Sequence, residues 1–341
     1  MNNKSMVIVC AAILLALAVP ALGQYSQPVA TQSNSGVKFG GYLSLEYIKG
    51  QAETAYPHGN IENLLAGFLA AGQVGQKFGF AVEIRSFNVD QFDLDQAWVG
   101  FLPSDAFTAR VGLYLVPFGT WNTASRPHET LLIRTPLNLE VLYPASWRDL
   151  GVMVQGRIGV LSYSAYVGNG LAEGEETSVV QQFHDNNTDK AKGGRLGLTF
   201  GQSLSTGVSF YTGKYDSLDT RNLTLEGADL SWVTNQWEVH GEYTKSFLEN
   251  PEPFARGESE GFSIWGCMSF RSFQPVGSFQ KVKFNDAYHE GGIAIDRSRW
   301  TAGIRYVLSS TVFIKAEYDW NKEKGTPLKN NQWQVQAGLS F

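Results

Sequence analysis

The sequence predicts an all-β protein, a transmembrane antiparallel β-barrel of about 16 strands. Three observations lead to this prediction. Apolar and polar residues alternate along most of the chain, short and long connections alternate between the predicted strands, and the chain ends on an aromatic residue, Phe341. Because successive side chains of a strand point to opposite faces, alternation with a period of two indicates strands with one apolar and one wet face.

The start of the chain predicts a secretory signal peptide over residues 1–23. Lys4 precedes an apolar run over residues 7–19, and the small residues Ala21 and Gly23 stand at the −3 and −1 positions of the expected cleavage site. We expect this segment to be removed on export and to take no part in the fold.

The remaining chain predicts a single architecture. Residues 24–36 are expected to form a short periplasmic segment and residues 37–341 the barrel, because no break in composition separates two domains. No run of about 18 apolar residues follows the signal peptide, which excludes a helical membrane protein. The 27 basic residues are outnumbered by 32 acidic ones, and the net charge of −5 argues against a nucleic-acid partner. Cys267 is the one cysteine left after residue 23, so no internal disulfide is expected.

The last ten residues carry the clearest strand pattern. Their apolar side chains fall on every second position, namely Trp333, Val335, Ala337, Leu339 and Phe341. An aromatic last residue in such a strand resembles the carboxy-terminal insertion signal of bacterial outer-membrane barrels. The same alternation predicts a hairpin upstream, in which Ser309 and Ser310 form the turn.

Connection lengths favour a barrel over a soluble sandwich. Seven short turns alternate with eight longer polar links, which is the order expected of short periplasmic turns and long outer loops. Two segments leave the count open between about 14 and about 18 strands. Residues 61–73 are apolar on both faces, and residues 273–284 alternate poorly around Pro275.

The third long link, residues 117–148, is the candidate constriction of the barrel. A link of this length with apolar residues of its own is expected to fold inward against the wall. Its charged and titratable residues include Arg126, His128, Glu129, Arg134, Glu140 and Arg148. Together with Arg85 and Arg110 on the predicted wall, they are the candidate residues of the pore constriction and lumen.

The predicted inner wall carries charges of both signs. A pore selective for anions is expected to have a lining of one sign. The other basic residues at predicted inward positions are Arg157, Arg195, Lys281, Lys283, Arg305 and Lys315. The acidic ones are Glu46, Glu83, Glu238, Glu242, Glu317 and Asp319.

Three motifs are similar to those of one known family. They are VGLYLVPFG at residues 111–119, PASWRDLGV at residues 144–152 and YVGNG at residues 166–170. Over about residues 107–170 the chain resembles the phosphate-selective porin (O and P type) family of bacterial outer-membrane porins. The resemblance implies a sixteen-stranded, commonly homotrimeric porin of the bacterial cell outer membrane, with its third loop folded inward. Phosphate as the solute does not follow, because the predicted lining is mixed.

From these features we expect passive diffusion of small hydrophilic solutes or ions, with anions among them, through a barrel surrounded by outer-membrane lipid. The alternative is the barrel sheath of an outer-membrane electron-transfer conduit that holds a separate multihaem cytochrome. We expect no enzyme and no cofactor, because none of the five histidines stands with a serine in a recognisable motif. The oxygen-rich residues 185–189 are of a kind that can bind calcium but are more typical of a polar loop, so no metal is predicted.

Overall fold

The computed structural model describes residues 36–88, 90–174, 179–289, 295–325 and 328–341. The predicted signal peptide, residues 1–23, and the segment 24–36 except Gly36 lie outside the described residues. Within these ranges, no helix has the length and apolarity needed to span a bilayer.

Sixteen antiparallel strands close into one barrel, and two further strands form a separate hairpin. The barrel strands are β1 (Val37–Gly50), β2 (Asn60–Val74), β3 (Phe78–Phe87), β4 (Gln91–Ser104), β5 (Phe107–Leu115), β6 (Arg148–Ile158), β7 (Leu161–Gly168), β10 (Ala191–Phe200), β11 (Leu204–Lys214), β12 (Asn222–Val233), β13 (Trp237–Leu248), β14 (Gly257–Met268), β15 (Phe273–Asn285), β16 (Arg297–Ser309), β17 (Val312–Glu323) and β18 (Gln332–Ser340). The hairpin consists of β8 (Leu171–Glu173) and β9 (Val179–Gln181). The predicted fold and the count of sixteen strands are confirmed.

The barrel closes where β1 pairs with β18. The register runs from Tyr42 opposite Ser340 to Gly50 opposite Gln332. Every barrel strand therefore has two paired neighbours, so the backbone groups within the membrane are satisfied without an open sheet edge.

Turns and loops are sorted between the two ends of the barrel. One end carries turns of two to four residues, and the other carries longer loops, with an exception of three residues between β3 and β4. Transmembrane barrels carry their long loops on the outer side, so the end with the long loops is called the outer end. The third loop, residues 116–147 between β5 and β6, is the longest. It contains a 3-10 turn (Asn122–Ala124) and a short helix, α1 (Leu137–Val141).

Apolar side chains cover the outside of the barrel. In β1, for example, Leu43 is exposed on the outer face whereas Ser44 is buried inside. Outer rings of neighbouring strands contact each other, as do Phe279 and Trp300 with centroids 4.3 Å apart. This distribution is expected of a barrel that has lipid outside and polar groups inside.

The two segments with weak alternation are both barrel strands. On β2, the inward Leu69 and Ala71 pack with Trp98 in a small apolar cluster. On β15, the inward Val276 and Val282 belong to the large core cluster that the third loop forms. Alternation is weak at these places because apolar residues occur on the inner face of the wall as well as on the outer one.

Lys281 and Lys283 face away from the lumen, so their predicted inward placement is wrong. The buried inner positions of β15 include Ser278, Gln280 and Val282, and the lysines alternate with them. The inner face mixes apolar and polar residues and the outer face carries two lysines, so the sequence pattern does not distinguish the two faces of this strand.

Gly112 on β5 provides a test of the close packing between β4 and β5. Its φ is +130°, and an added Cβ would lie 2.2 Å from the carbonyl oxygen of Ala97. We expect Gly112→Ala to lower the free energy of unfolding by about 1–3 kcal/mol, because it adds backbone strain and a clash. The control is Gly277→Ala on β15, where the nearest heavy atom to a new Cβ is 3.9 Å away. The measurement is the urea midpoint of the folded, heat-modifiable band in gel electrophoresis, and equal midpoints for the two variants would contradict the expectation.

Candidate pore constriction

Asn122 connects the first and last residues of the third loop, Val116 and Trp147, which begin its amino-terminal leg and end its carboxy-terminal leg. Its Nδ2 atom donates to the carbonyl oxygens of Val116 at 2.8 Å and Trp147 at 2.7 Å, and its Oδ1 atom accepts from the Trp147 amide at 2.7 Å. Because one buried amide group satisfies backbone groups on both legs, the loop leaves and re-enters the wall as a closed unit.

Glu242 on β13 fixes the first turn of the loop. Its Oε1 atom accepts from the backbone amides of Thr120 and Trp121, both at 2.7 Å, and from the Thr120 hydroxyl at 2.8 Å. Gly119 lies against the same carboxylate with a φ of +65°, and a Cβ there would be 2.4 Å from Oε2. Glycine is therefore required for conformation and for space. The three donors stabilise a carboxylate that the wall buries.

An apolar cluster attaches the loop to the wall formed by β5–β7 and β10–β15. Phe118 contacts Tyr143 and Trp147, with ring centroids 5.2 and 5.9 Å apart. Trp121 contacts Trp265 on β14 at 5.3 Å. Other loop residues of the cluster are Leu131, Leu132, Leu137, Leu139 and Leu142, and wall residues include Tyr211, Leu223, Leu225, Val276 and Val282. This half of the lumen is therefore filled with protein rather than water.

Arg126 joins the loop to the opposite wall. Its Nε and NH2 atoms donate to the carboxylate of Glu83 on β3 at 2.8 and 2.6 Å. Its NH1 atom lies 3.1 Å from Glu129 of the same loop. Glu83 has an exposed fraction of 0%. A two-pronged ion pair of this kind is strong and fixes the orientation of both groups.

Lys315 and Glu317 on β17 hold the middle of the loop. The Lys315 ammonium donates to the carbonyl oxygen of Pro127 at 2.8 Å and to the Thr130 hydroxyl at 2.9 Å. Glu317 accepts from the Ile133 amide at 3.1 Å. Lys315 is 1% exposed, so the loop carbonyls and hydroxyl replace its hydration.

Three charges hold helix α1 near the outer mouth. Glu140 lies 2.7 Å from Arg134 and 3.0 Å from Arg299 on β16. Burial opposes the negative charge of Glu140, but attraction by Arg134 and Arg299 outweighs it and lowers the pKa of this carboxyl to about 2. The Leu137 amide donates to Gln280 on β15 at 2.8 Å. The ionic contact with Arg299 and the amide contact with Gln280 therefore attach the helix to β16 and β15.

Arg85 and Arg148 lie on the outer side of the loop. Arg85 forms a buried ion pair with Asp95 and donates to the Ser146 hydroxyl at 3.1 Å. Arg148 lies 3.3 Å from Asp93. These contacts connect the carboxy-terminal leg of the loop to strands β3 and β4.

Arg110 stands apart from the other candidate residues. Its guanidinium carbon lies 4.2 Å from the centroid of the Trp98 ring, and the side chain is buried. Within the described ranges, no carboxylate lies within salt-bridge distance of it. The eight candidate residues therefore lie inside the barrel in separate groups rather than in one cluster.

Several wall residues that bind the loop were not recognised from the sequence as its partners. Glu83, Glu242, Lys315 and Glu317 were expected on the inner face, where they are found, but no local pattern connected them to residues 116–147. The hydrogen-bonded partners are 43 residues apart for Glu83 and 188 for Lys315 and Pro127. A spacing of that size has no signature in a single sequence.

In the structure, His240 lies within hydrogen-bond distance of Ser231. Ser231 Oγ is 2.7 Å from His240 Nδ1, and His240 Nε2 is 2.9 Å from Glu238. Ser231 and His240 are directly opposite each other on β12 and β13, so strand pairing rather than a sequence motif places them together. The sequence has no recognisable motif that joins a histidine to a serine, so this pair could be found only from the register of the two strands.

The oxygen-rich segment of the fourth loop is tied down by hydrogen bonds. Asp219 accepts from the Thr188 hydroxyl at 2.6 Å and from the Asp189 amide at 3.1 Å, and Asp185 pairs with Lys190. In the part of the chain that the structure describes, no group of three or more His, Cys, Asp or Glu side chains is placed to hold a metal.

Polar cavities lie on both sides of the third loop. The periplasmic cavity, about 380 Å³, is lined by residues that include Glu83, Arg126 and Arg305. The outer cavity, about 480 Å³, is lined by residues that include Arg85 and Arg148. A closed sixteen-stranded barrel with an inward third loop between two polar vestibules is the architecture of an outer-membrane porin.

Comparison with known proteins supports that class. The profile of the Gram-negative porin family matches residues 10–326, so the chain belongs to this family. The protein is accordingly a member of the Gram-negative porin family located in the bacterial outer membrane.

Solved structures of three outer-membrane proteins have a similar fold. An anion-selective porin from Comamonas acidovorans has a TM-score of 0.66 at 13% identity, covering 90% of this chain and 99% of that chain. The outer membrane channel DcaP of Acinetobacter baumannii has a TM-score of 0.66 at 13% identity, covering 94% and 100%. OmpT of Vibrio cholerae in a trimer form has a TM-score of 0.64 at 14% identity, covering 90% and 99%.

One curated relative is an uncharacterized protein of Aquifex aeolicus (strain VF5). It is 24% identical over 226 residues, which are 61% of this chain. The chain spans about half of that protein's length, 52%.

The pKa of His128 generates a prediction about pH. Burial, together with the nearby charges of Arg126, Lys315 and Arg305, lowers the pKa of this imidazole to about 4. His128 is then neutral from about pH 8 down to about pH 5 and gains its proton only below about pH 4. We expect the single-channel conductance of the native protein and of His128→Gln to follow the same course over this range. A conductance step near the ordinary histidine pKa that is absent in His128→Gln would contradict the expectation.

Proposed function

We propose that the protein lets small hydrophilic solutes and ions diffuse passively across the outer membrane, along the passage beside the third loop. The observation that carries this proposal is the pair of polar cavities on either side of the loop. The Arg126–Glu83 ion pair lies in the narrow region between the two cavities, which we call the neck. Arg126 and Glu83 line the periplasmic cavity, whereas Ser125 and Pro127, the residues next to Arg126, line the outer cavity. Solutes pass when these two side chains separate.

We propose weak selectivity between anions and cations. Basic groups near the neck have acidic partners, Arg126 with Glu83 and Arg85 with Asp95. The fields of close opposite charges largely cancel at the distance of a passing ion. The phosphate-selective subtype that the sequence motifs suggest requires a lining of one sign. The neighbour described as anion-selective supports an anion preference only weakly, because 13% identity leaves the lining residues unrelated.

The cytochrome-sheath alternative has no support in the geometry. The third loop occupies the lumen between cavities of about 380 and 480 Å³. A folded domain of 100 residues has a radius of gyration of about 13 Å, so it requires far more space.

A catalytic role for Ser231 and His240 is not part of the proposal. Hydrolysis by a serine needs free backbone or side-chain donors at the developing oxyanion. Both residues lie within paired strands, where the ladder uses the backbone amides that would otherwise supply them.

We propose that the barrel assembles as a homotrimer. The outer membrane protein OmpT of Vibrio cholerae was observed in a trimer form, and the resemblance of the motifs to the phosphate-selective porin family implies the same assembly. Analytical ultracentrifugation of the protein in detergent tests this proposal, and a monomeric mass would overturn it.

Single-channel recording in a planar bilayer tests the proposed passage. We expect discrete conductance steps for the native protein and a reversal potential close to zero under a salt gradient. Arg126→Gln should raise the conductance about twofold or more, because it removes the side chain that closes the neck. It should also shift the reversal potential towards cation selectivity, since Glu83 and Glu129 lose their shared counter-charge.

The matched control is Arg157→Gln. This arginine also lies inside the barrel but is exposed near the periplasmic turn after β6, so the same loss of charge occurs away from the neck. We expect its conductance to equal that of the native protein. A silent native protein would overturn the diffusion proposal, and a strong anion preference would overturn the proposal of weak selectivity. Equal conductance for Arg126→Gln and Arg157→Gln would show that the neck lies elsewhere.

A further inference from the structure

Lys281 and Lys283 on β15 belong to a basic patch on the lipid-facing side of the barrel. Strand pairing places Lys281 opposite Ser298 on β16, and Ser298 opposite Lys322 on β17. The three residues therefore form one row across three strands. Since neighbouring strands are about 4.8 Å apart, the backbones of Lys281 and Lys322 are separated by about 10 Å with the serine hydroxyl between them.

An aromatic row lies directly below this basic row, towards the middle of the membrane. Phe279 is opposite Trp300, and Trp300 is opposite Trp320. All three residues are two positions from the basic row on the same outer face. Trp300 and Trp320 are 57% and 46% exposed on the outside of the barrel. Aromatic residues in this position mark the boundary between hydrocarbon and headgroups, so the basic row lies at headgroup level of the outer leaflet.

Two more lysines extend the patch away from the membrane. Lys283 is 3.3 Å from Glu260 on β14, and Lys324, just beyond β17, is 3.3 Å from Asp296. Both lysine side chains are largely exposed, at 53% and 80%. Four lysines thus surround Ser298 with two carboxylates beside them, which leaves an excess of positive charge.

We propose that this patch binds a phosphate group of an outer-leaflet lipid, with the phosphate above Ser298 between Lys281 and Lys322. Ammonium groups placed at headgroup level gain attraction from lipid phosphates, whereas the same groups would be costly at the depth of the aromatic row. The hydroxyl of Ser298 supplies a third donor. The aromatic row provides the apolar surface against which the acyl chains of that lipid pack.

The patch is separate from the pore. The inward residues of the same three strands, among them Gln280, Arg299 and Lys315, hold the third loop. The lysines are on the opposite face of the wall. Lipid binding and conduction are therefore measured independently, and failure of one proposal leaves the other standing.

Native mass spectrometry of the purified full-length protein in detergent tests the proposal, with bis-phosphorylated lipid A as the probe. We expect a defined number of bound lipids for the native protein. The double variant Lys281→Gln, Lys322→Gln should weaken this binding at least about tenfold, because each lysine near a phosphate contributes about 1 kcal/mol. Dephosphorylated lipid A should bind the native protein as weakly as lipid A binds the variant.

The control is the double variant Lys49→Gln, Lys192→Gln. These lysines also lie on the outer face at the outer ends of strands, but on β1 and β10, which are not neighbours. We expect them to leave lipid binding unchanged, and all variants to keep native conductance and heat-modifiable migration. Equal losses in both double variants would show unspecific attraction and overturn the proposal. Unchanged lipid binding in the double variant Lys281→Gln, Lys322→Gln would also overturn the proposal. Loss of a trimer in that variant would overturn it too, because the patch would then bind a second copy of the chain.

Discussion

Polar groups on the inner wall of this barrel require partners wherever the third loop excludes water, and the rest of the structure depends on the loop providing them. Glu242, Glu83, Lys315 and Glu317 are charged wall residues that are almost completely buried. An unpaired charge in such a place costs several kcal/mol, and the loop supplies amides, carbonyls and one guanidinium, that of Arg126. The same contacts that satisfy the wall fix the loop across the lumen.

The loop divides the lumen into two unlike halves. On the side of β10–β15 it completes an apolar core in which Phe118, Trp147 and Trp265 take part. On the side of β3 and β17 it makes contacts mainly through charges and hydrogen bonds. Apolar packing has no aqueous alternative that competes with it, whereas charged and hydrogen-bonding groups can also be solvated by water and ions. We therefore propose that the passage lies on the ionic side, where Arg126 and Glu83 meet.

The wall formed by β15–β17 contacts the third loop on its inner face and the membrane on its outer face. Its inward positions, such as Gln280 and Lys315, bind the loop, and the positions next to them in sequence, such as Lys281, face the membrane. A shift of one residue exchanges the two sets because the side-chain period of a strand is two. Strand register thus couples the position of the third loop to the depth at which the outer lysines meet the headgroups.

The sequence alone determined the barrel, the sorting of turns from loops and the inward fold of the third loop, because these follow from a period of two and from connection length. It gave a count of about sixteen strands, and the closed strand order of the structure decided that number. The sequence did not determine the face of Lys281 and Lys283, since the inner face of β15 combines Val276 and Val282 with polar residues while the outer face carries both lysines. Nor did it determine that Arg126 meets Glu83 or that Ser231 meets His240. Those pairs arise from closure of the sheet and from the path of the loop, which bring together residues whose separation along the chain has no local signal. Only the tertiary structure decided which charges of a mixed lining neutralise one another.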